Sequence, residues 1–256
     1  MTGAALFTHQ FRIDLLRFWR NPQSRYFTVL LPIVFLVIFA AIFKGTTIVD
    51  GKIIKLTTFY VPGIMTLGII SACYVNLTQA VVTQRESGEL KRVRGTPLPA
   101  SFVISSRTGV GVIVAIVMSA LLLLLGDVAY GVAVPRAILA LILAVIVGAA
   151  AFACIAFAVS TRIRAADSSA PATNLTVLPL YFISGVFVPE TQIPAFLRHI
   201  AEVFPIYHLA NALRQPFVEP HGAGISGGDL LVLAVWGIGA LLVAARTFRW
   251  SPSALS

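Results

Sequence analysis

Six long apolar runs constrain the fold of this chain more than any other feature. They cover about residues 26–43, 57–82, 102–125, 137–160, 171–188 and 225–245. Each is close to the ~20 residues that an α-helix needs to cross ~30 Å of hydrocarbon. Backbone polar groups in lipid must be satisfied internally, and the runs lack the alternation of barrel strands, so helices are expected. The chain is 58% hydrophobic and only 11% charged, which also excludes an ordinary soluble domain.

The sequence therefore predicts an all-α integral membrane protein with six transmembrane helices in one domain over residues 1–256. Residues 1–25 predict an amphipathic helix that lies on the inner membrane surface. Four apolar side chains fall on one face of this helix: Phe7, Phe11, Leu15 and Phe18. Arginines fall on the other faces, and Asp14 interrupts the apolar stripe.

The distribution of Lys and Arg predicts that both termini are cytoplasmic. In this orientation six cations lie outside: Lys44, Lys52, Lys55, Arg136, Arg198 and Arg214. The remaining 13 of the 19 lie inside, as the positive-inside rule requires. The net charge of +9 is therefore a membrane signal and does not indicate nucleic-acid binding. Arg107, near the start of the third run, is expected to snorkel to the headgroups.

The most polar stretch between two apolar runs is residues 84–101, expected on the cytoplasmic side. Six charged residues fall within ten positions: Arg85, Glu86, Glu89, Lys91, Arg92 and Arg94. Its first half predicts a short helix that ends near Gly95, Pro97 and Pro99. Charge alone leaves two interpretations open, a solvated membrane turn and a docking surface for a soluble partner.

The segment 189–224, expected outside, contains two short apolar patterns. Gln192–Phe204 and Tyr207–Phe217 have helical periodicity and are separated by Pro205. Both are too short to span the membrane, so they predict amphipathic or re-entrant helices in the outer leaflet.

Polar residues within the second run have two interpretations. Tyr60, Thr66, Asn76 and Gln79 could line a substrate path or form interhelical hydrogen bonds. Small residues in the fourth run likewise predict either close internal packing or a dimer face.

The sequence lacks the motifs of several common enzymatic and metal-binding sites. No P-loop is present, and the four histidines lack metal-ligand spacing. Ser184 with the downstream His208 invites comparison with an intramembrane serine protease, but Phe182 stands where a rhomboid protease has glycine. No pair of carboxylates lies in the apolar runs, so catalytic residues and metal ligands are not predicted.

Two stretches resemble the membrane subunit of type-2 ABC exporters, the class of daunorubicin-type drug exporters and of polysaccharide or lipid exporters. One runs from Arg85 to Pro97, and the other runs from Ser184 to Arg214. The resemblance implies that a coupling helix docks on a separate ATP-binding subunit. Its matching positions are Arg85, Glu86, Gly88, Leu90, Lys91, Arg92, Thr96 and Pro97. It also implies an outer gate, whose matching positions are Ser184, Gly185, Phe187, Pro189, Pro194 and Pro205.

Further expectations follow from this resemblance. Two ATP-binding subunits would bind ATP and Mg²⁺, and a second permease subunit, identical or different, would complete the path in a bacterial plasma membrane. This chain would have no enzymatic site or cofactor of its own. The cargo would be amphipathic: a drug, a lipid or a lipid-linked glycan. An intramembrane enzyme and a non-transporting membrane scaffold remain alternatives.

Overall fold

A computed structural model describes residues 3–49, 51–96, 99–218 and 224–247. The helices in these ranges are α1 (Gly3–Arg20), α2 (Pro22–Arg25), α3 (Leu31–Ile42), α4 (Leu56–Ile70), α5 (Leu77–Glu86), α6 (Glu89–Arg94), α7 (Ala100–Tyr130), α8 (Ile138–Ser160), α9 (Ser169–Ile183), α10 (Ala195–Ala201), α11 (Pro205–Val218) and α12 (Gly227–Thr247). π-helical turns at Tyr26–Leu30 and Ser71–Asn76 and a 3-10 turn at Glu190–Gln192 complete the helical structure described.

Four helices in the described ranges are long and apolar enough to cross a membrane. They are Leu56–Glu86, Ser101–Tyr130, Ile138–Ser160 and Gly227–Thr247, which correspond to the second, third, fourth and sixth apolar runs. The helix of the first run is shorter, with its apolar part at Thr28–Ile42. The helix of the fifth run, α9, has 15 residues. The structure thus confirms a helical membrane protein, and the count of six spans stays a prediction.

The helix of the second run is the centre of the bundle, and we call Leu56–Glu86 the central helix. It joins α4, the π-helical turn Ser71–Asn76 and α5 without a break. Residues from Phe59 to Ile70 are all buried, because α3, α7, α8 and α11 pack around them. The central helix extends four residues beyond the predicted end near Val82. Gln, Arg and Glu have high helix propensity, so the helix continues after the apolar run has ended.

Small residues bring the helices of the bundle together. A Cβ on Gly148 of α8 would come within 2.3 Å of Leu209 of α11, and one on Gly237 of α12 would lie 3.1 Å from the Cα of Ala151. The small residues of the fourth run therefore serve internal packing, which is the first of the two interpretations.

A β-hairpin corrects the all-α prediction locally. Strands β1 (Thr46–Val49) and β2 (Lys52–Lys55) pair antiparallel, with Thr47 opposite Ile54. The signal was present in the sequence, since β-branched residues flank Gly51, which adopts φ +73°. Strands of four residues are too short to appear as membrane-length apolar runs.

The two ends of the bundle carry different structures. The α1 end holds α1, α6 and the loop between α8 and α9. Arg17 of α1 pairs with Glu89 of α6, and the backbone N–H of Ala166 in the loop donates to Glu86 at the end of the central helix. The hairpin end holds β1, β2, α10 and α11, and there the Lys52 ammonium group donates to the carbonyl of Val218 at 3.2 Å. The two short helices α10 and α11 confirm the helical patterns predicted within 189–224, and their re-entrant position in the outer leaflet stays a prediction.

Candidate functional site

The polar stretch 84–101 forms a sharp turn and a short helix at the α1 end. Ser87 follows the central helix, and Gly88 adopts φ +73°, a left-handed conformation that glycine adopts without strain. Helix α6 then begins at Glu89 and ends at Arg94, one residue before Gly95, as the sequence predicts.

Buried contacts fix α6 and its turn to the rest of the chain. Leu90 is fully buried in a cluster with Val81 of the central helix, Phe157 of α8 and Ala244 of α12. Glu89 forms an ion pair with Arg17 of α1. The short helix is therefore attached to several elements of the bundle at once.

The residue before the turn is also an internal anchor. Arg85 is 4% exposed and donates to the carbonyl of Ser160 at 2.8 Å and to the carbonyl of Ile163. These contacts join the end of the central helix to the end of α8 and to the loop that follows.

The remaining polar residues of this turn face solvent. Glu86, Lys91, Arg92 and Thr96 are exposed, and Gly88 is half-buried. Pro97 lies outside the described residues. Leu90→Asp would place a carboxylate in an apolar cluster, so this substitution would disturb the packing of α6 as well as any docking surface. A docking role for all eight residues stays a prediction.

A buried polar cluster lies between α1 and α7, and here the expectation that Arg107 snorkels is wrong. Arg107 is 7% exposed, with its Nη2 donating to Gln84 Oε1 and its Nε 3.9 Å from Asp14 Oδ1. Asp14 also accepts from Ser106 Oγ at 2.6 Å and from Gln10 Nε2 at 2.9 Å. Asp14 and Arg107 each interrupt an apolar pattern in the sequence. This interruption was the available signal that the two residues have buried partners.

A cavity of about 150 Å³ adjoins this cluster. Four residues were predicted to line a substrate path, and of these only Asn76 lines the cavity in the described structure. Asn76 Nδ2 donates to Thr28 Oγ1 at 2.5 Å. Thr66 Oγ1 donates to the carbonyl of Pro62 at 2.9 Å, and Tyr60 packs against aromatic rings, with Phe39 at 5.0 Å between centroids. Gln79 is half-buried. These four residues therefore do not meet on one surface within this chain, and their path role stays a prediction.

At the hairpin end, Phe187 is the centre of an aromatic group. Its ring lies 5.3 Å from Phe39, 5.8 Å from Phe35 and 5.5 Å from Phe182. The preceding residue, Val186, presses its carbonyl against Gly63 of the central helix, where a Cβ would come within 2.4 Å. The loop after α9 is thus packed into the bundle.

Arg214 joins the two halves of the second resembling stretch, a role that sequence reasoning missed. It is 2% exposed, donates to the carbonyl of Gly185 and to Asn211 Oδ1 at 2.9 Å, and reaches Glu190 Oε1 at 3.5 Å. Its guanidinium also lies 4.5 Å from the centre of the Phe59 ring. The signal in the sequence was the position of Arg214, a cation within the largely apolar segment Tyr207–Phe217.

The prolines of this region begin helical segments. Pro189 and Pro194 immediately precede the 3-10 turn and α10 with extended backbone, and Pro205 is the first residue of α11. Proline is favoured at the first turn of a helix, where its missing N–H costs nothing. The role of these prolines in an outer gate stays a prediction.

The geometry around Ser184 lacks the pairing that serine catalysis needs. The Ser184 hydroxyl is buried and has no hydrogen-bond partner among the residues that the structure describes. Both ring nitrogens of His208 are engaged elsewhere, Nδ1 with Asp229 Oδ1 at 2.6 Å and Nε2 with the carbonyl of Glu202 at 2.7 Å. The hydrogen bond with Asp229 raises the pKa of His208 above its ordinary value. No cluster of His, Cys, Asp and Glu in the described ranges has the geometry of a metal site.

Comparison with known proteins identifies the class. The family of ABC-2 type transporters matches residues 6–218, and the chain belongs to that family. It is a membrane subunit of an ABC transporter, a complex that also contains an ATP-binding subunit. No curated protein matches the chain.

Proposed function

We propose that this chain is the permease subunit of an ATP-driven exporter and that α6 docks on a separate ATP-binding subunit. The observation that carries the proposal is the combination of anchoring and exposure in α6. Leu90 and the pair Arg17–Glu89 fix the helix to the bundle, while Lys91 and Arg92 face outward. A helix held in this way moves together with the elements to which it is attached.

The mechanism follows from the position of α6 directly after the central helix. ATP and Mg²⁺ bind to two partner subunits, and their closure displaces α6. Because α6 adjoins the central helix and contacts α1, its displacement changes the packing of both. A ligand shifts a conformational equilibrium only by its differential affinity for the two states. ATP binding to the partner subunits therefore has to favour the conformation in which α6 is displaced.

The assembly is a dimer of membrane subunits in a bacterial plasma membrane, each with six spans and both termini cytoplasmic. Helices α10 and α11 are re-entrant from the outer face, and the loop from Ser184 to Pro189 closes the exit. The packing of Phe187 and Arg214 supports a compact closed state at this end. The low content of charged residues supports an amphipathic cargo.

The test is co-purification of the tagged chain from its native membranes in mild detergent. We expect an ATPase with a P-loop to accompany the wild type, and the double variant Lys91→Glu/Arg92→Glu to lose most of it. The matched control is Lys44→Glu/Lys55→Glu, which reverses two exposed charges near the hairpin. Equal recovery with all three proteins would refute docking through α6. Recovery of no ATPase with folded protein would favour the scaffold.

A further inference from the structure

The buried guanidinium of Arg107 has donors that the described part of the chain does not satisfy. Its Nη1 atom is buried and has no hydrogen-bond partner among the described residues. Its Nε lies 3.9 Å from Asp14 Oδ1, which is too long for a hydrogen bond. Arginine stays charged and carries five N–H donors, so a buried arginine with one bonded nitrogen requires a further acceptor.

The cavity beside Arg107 has room for that acceptor. Its volume of about 150 Å³ is several times the roughly 30 Å³ that one water molecule occupies. Its polar part is formed by Arg107, Gln84, Asn21, Asp14 and Arg17. Ala72 and Val114 belong to a largely apolar part, in which the Asn76 side chain is bonded to Thr28. Val114 lies seven residues beyond Arg107 on α7, or about 10 Å along a helix. The cavity therefore changes from polar to apolar along the helix axis.

The charges around the cavity favour an anion over a cation. Asp14 is the acidic residue among those lining it, and its oxygens already face Ser106 Oγ, Gln10 Nε2 and the guanidinium of Arg17. Arg17 is likewise engaged with Glu89. The unsatisfied hydrogen-bonding group beside the cavity is thus a donor of Arg107. A guanidinium donor suits the oxygens of a phosphate group.

The structure of the central helix supports a ligand site here. Ala72 and Asn76, which line the cavity, belong to the π-helical turn Ser71–Asn76. The Asn76 side chain bonds to Thr28, which lies in the π-helical turn Tyr26–Leu30. Turns of this kind inside α-helices occur frequently at functional sites.

We propose that this cavity binds the head of an anionic amphiphile, a lipid with a phosphate monoester headgroup. The phosphate oxygens accept from Arg107 Nη1, and the first part of the acyl chain lies along Ala80, Val110 and Val114. The bound lipid then bridges α1, the central helix and α7. All the residues that line this cavity belong to this chain, so lipid binding can be measured without the partner subunits.

The test measures lipid binding to the purified full chain in detergent by titration calorimetry, without any partner. The probes are dihexanoyl phosphatidic acid, dihexanoyl phosphatidylcholine and inorganic phosphate. We expect the phosphatidic acid to bind at least tenfold more tightly than either of the others. The choline head adds a bulky cation beside Arg107, and free phosphate lacks the apolar contacts. Equal affinity for the two lipids, or for phosphate and phosphatidic acid, would overturn the proposal.

Two variants locate the site. Arg107→Gln removes the cation, and Ala80→Phe fills the apolar part while leaving the polar cluster unchanged. Each should weaken binding of phosphatidic acid at least tenfold, whereas Arg164→Gln, an exposed arginine after α8, should not change it. Thermal unfolding without lipid identifies any variant that fails to fold. Full binding by folded Ala80→Phe would contradict the assignment even if Arg107→Gln could not be purified.

Discussion

At the scale of single residues, the charges that interrupt apolar patterns prove to be internal partners. Asp14 and Arg107 break an amphipathic stripe and an apolar run, and the structure places them in one buried cluster. Arg85 and Arg214 are buried too, bonded to backbone carbonyls. The sequence indicated that Asp14 and Arg107 were exceptional, because both lie within apolar patterns. It did not reveal their partners, because the pairing depends on how distant helices pack.

Arg214 provides the first stability prediction. Replacing it with Met should lower the free energy of unfolding by roughly 3–6 kcal/mol, because Met removes the bonds to Gly185 and Asn211 and charge-assisted hydrogen bonds contribute ~1.5–3 kcal/mol each. Thermal unfolding in detergent measures this. Arg214→Lys should recover only part of the loss, since an ammonium group cannot reproduce the planar fork. Arg198→Met, which removes a half-exposed arginine of α10, should have little effect, and an equal loss there would contradict the account.

His208 predicts a pH dependence of stability. Both of its partners, a carboxylate and a carbonyl, accept hydrogen bonds, so the doubly protonated ring fits its site and its pKa is raised. A raised pKa in the folded state contributes stability that is complete below the unfolded value near 6.5. That contribution is lost as the pH rises through the higher folded value.

We therefore expect the unfolding temperature of the wild type to fall as the pH rises past neutrality. In Asp229→Asn this part of the slope should be smaller, because the first cause of the shift is removed. His199→Gln, a change at an exposed histidine, should keep the wild-type slope. A wild-type slope in Asp229→Asn would show that another group is responsible.

At the scale of elements, periodicity predicted the long helices and missed structure that depends on neighbours. The apolar runs located the central helix, α7, α8 and α12. Most ends of these helices lie within a few residues of the predicted ends. Helix α7 continues to Tyr130, five residues past the predicted end, until Gly131 adopts φ +62°. The hairpin was missed because its two four-residue strands are much shorter than a membrane-spanning run, although β-branched residues and Gly51 marked it in the sequence. The π-helical turns lie within apolar runs, and the apolar periodicity did not predict them.

The turn between the central helix and α6 predicts an effect on coupling. Gly88→Val should strain this turn by about 1–2 kcal/mol, because its φ of +73° is left-handed. We expect weaker stimulation of ATP hydrolysis by cargo in the assembled complex, whereas Gly88→Asn should retain it, since asparagine tolerates this conformation. The measurement is ATPase activity of the reconstituted complex with and without cargo.

Gly51 supplies the control for this variant. It has the same φ of +73° in the hairpin at the opposite end, and neither glycine has an atom within 4 Å of its missing Cβ. Gly51→Val thus introduces similar strain far from α6. If Gly51→Val and Gly88→Val reduced the stimulation equally, the effect would be one of general stability and not of coupling.

At the scale of the whole molecule, the family and the helical membrane fold could be predicted, and the arrangement of the site residues could not. The two stretches that carry the resemblance fold into separate ends of the bundle, α6 at one and the loop near Gly185 at the other. Tyr60, Thr66, Asn76 and Gln79 share one helix, but they face different neighbours, since a helix of 31 residues turns its side chains in every direction.

Orientation in the membrane gives a prediction at this scale. With both termini cytoplasmic, Thr96→Cys near α6 should be protected in intact cells from a membrane-impermeant thiol reagent, and Lys55→Cys in the hairpin should react. Both positions are exposed in the structure. A background with Cys73 and Cys154 replaced by alanine removes the native thiols. The reverse pattern of labelling would invert the topology and exclude α6 from contact with a cytoplasmic ATPase.

The most direct test of the central claim is photo-crosslinking from the exposed face of α6. A photoreactive amino acid is introduced at Arg92, and the same residue at Lys55 serves as the control. The account predicts that Arg92 yields a cross-linked product containing an ATPase with a P-loop, and that Lys55 does not. Cross-linking to an ATPase from Lys55 but not from Arg92, or from neither position in folded protein, would contradict it.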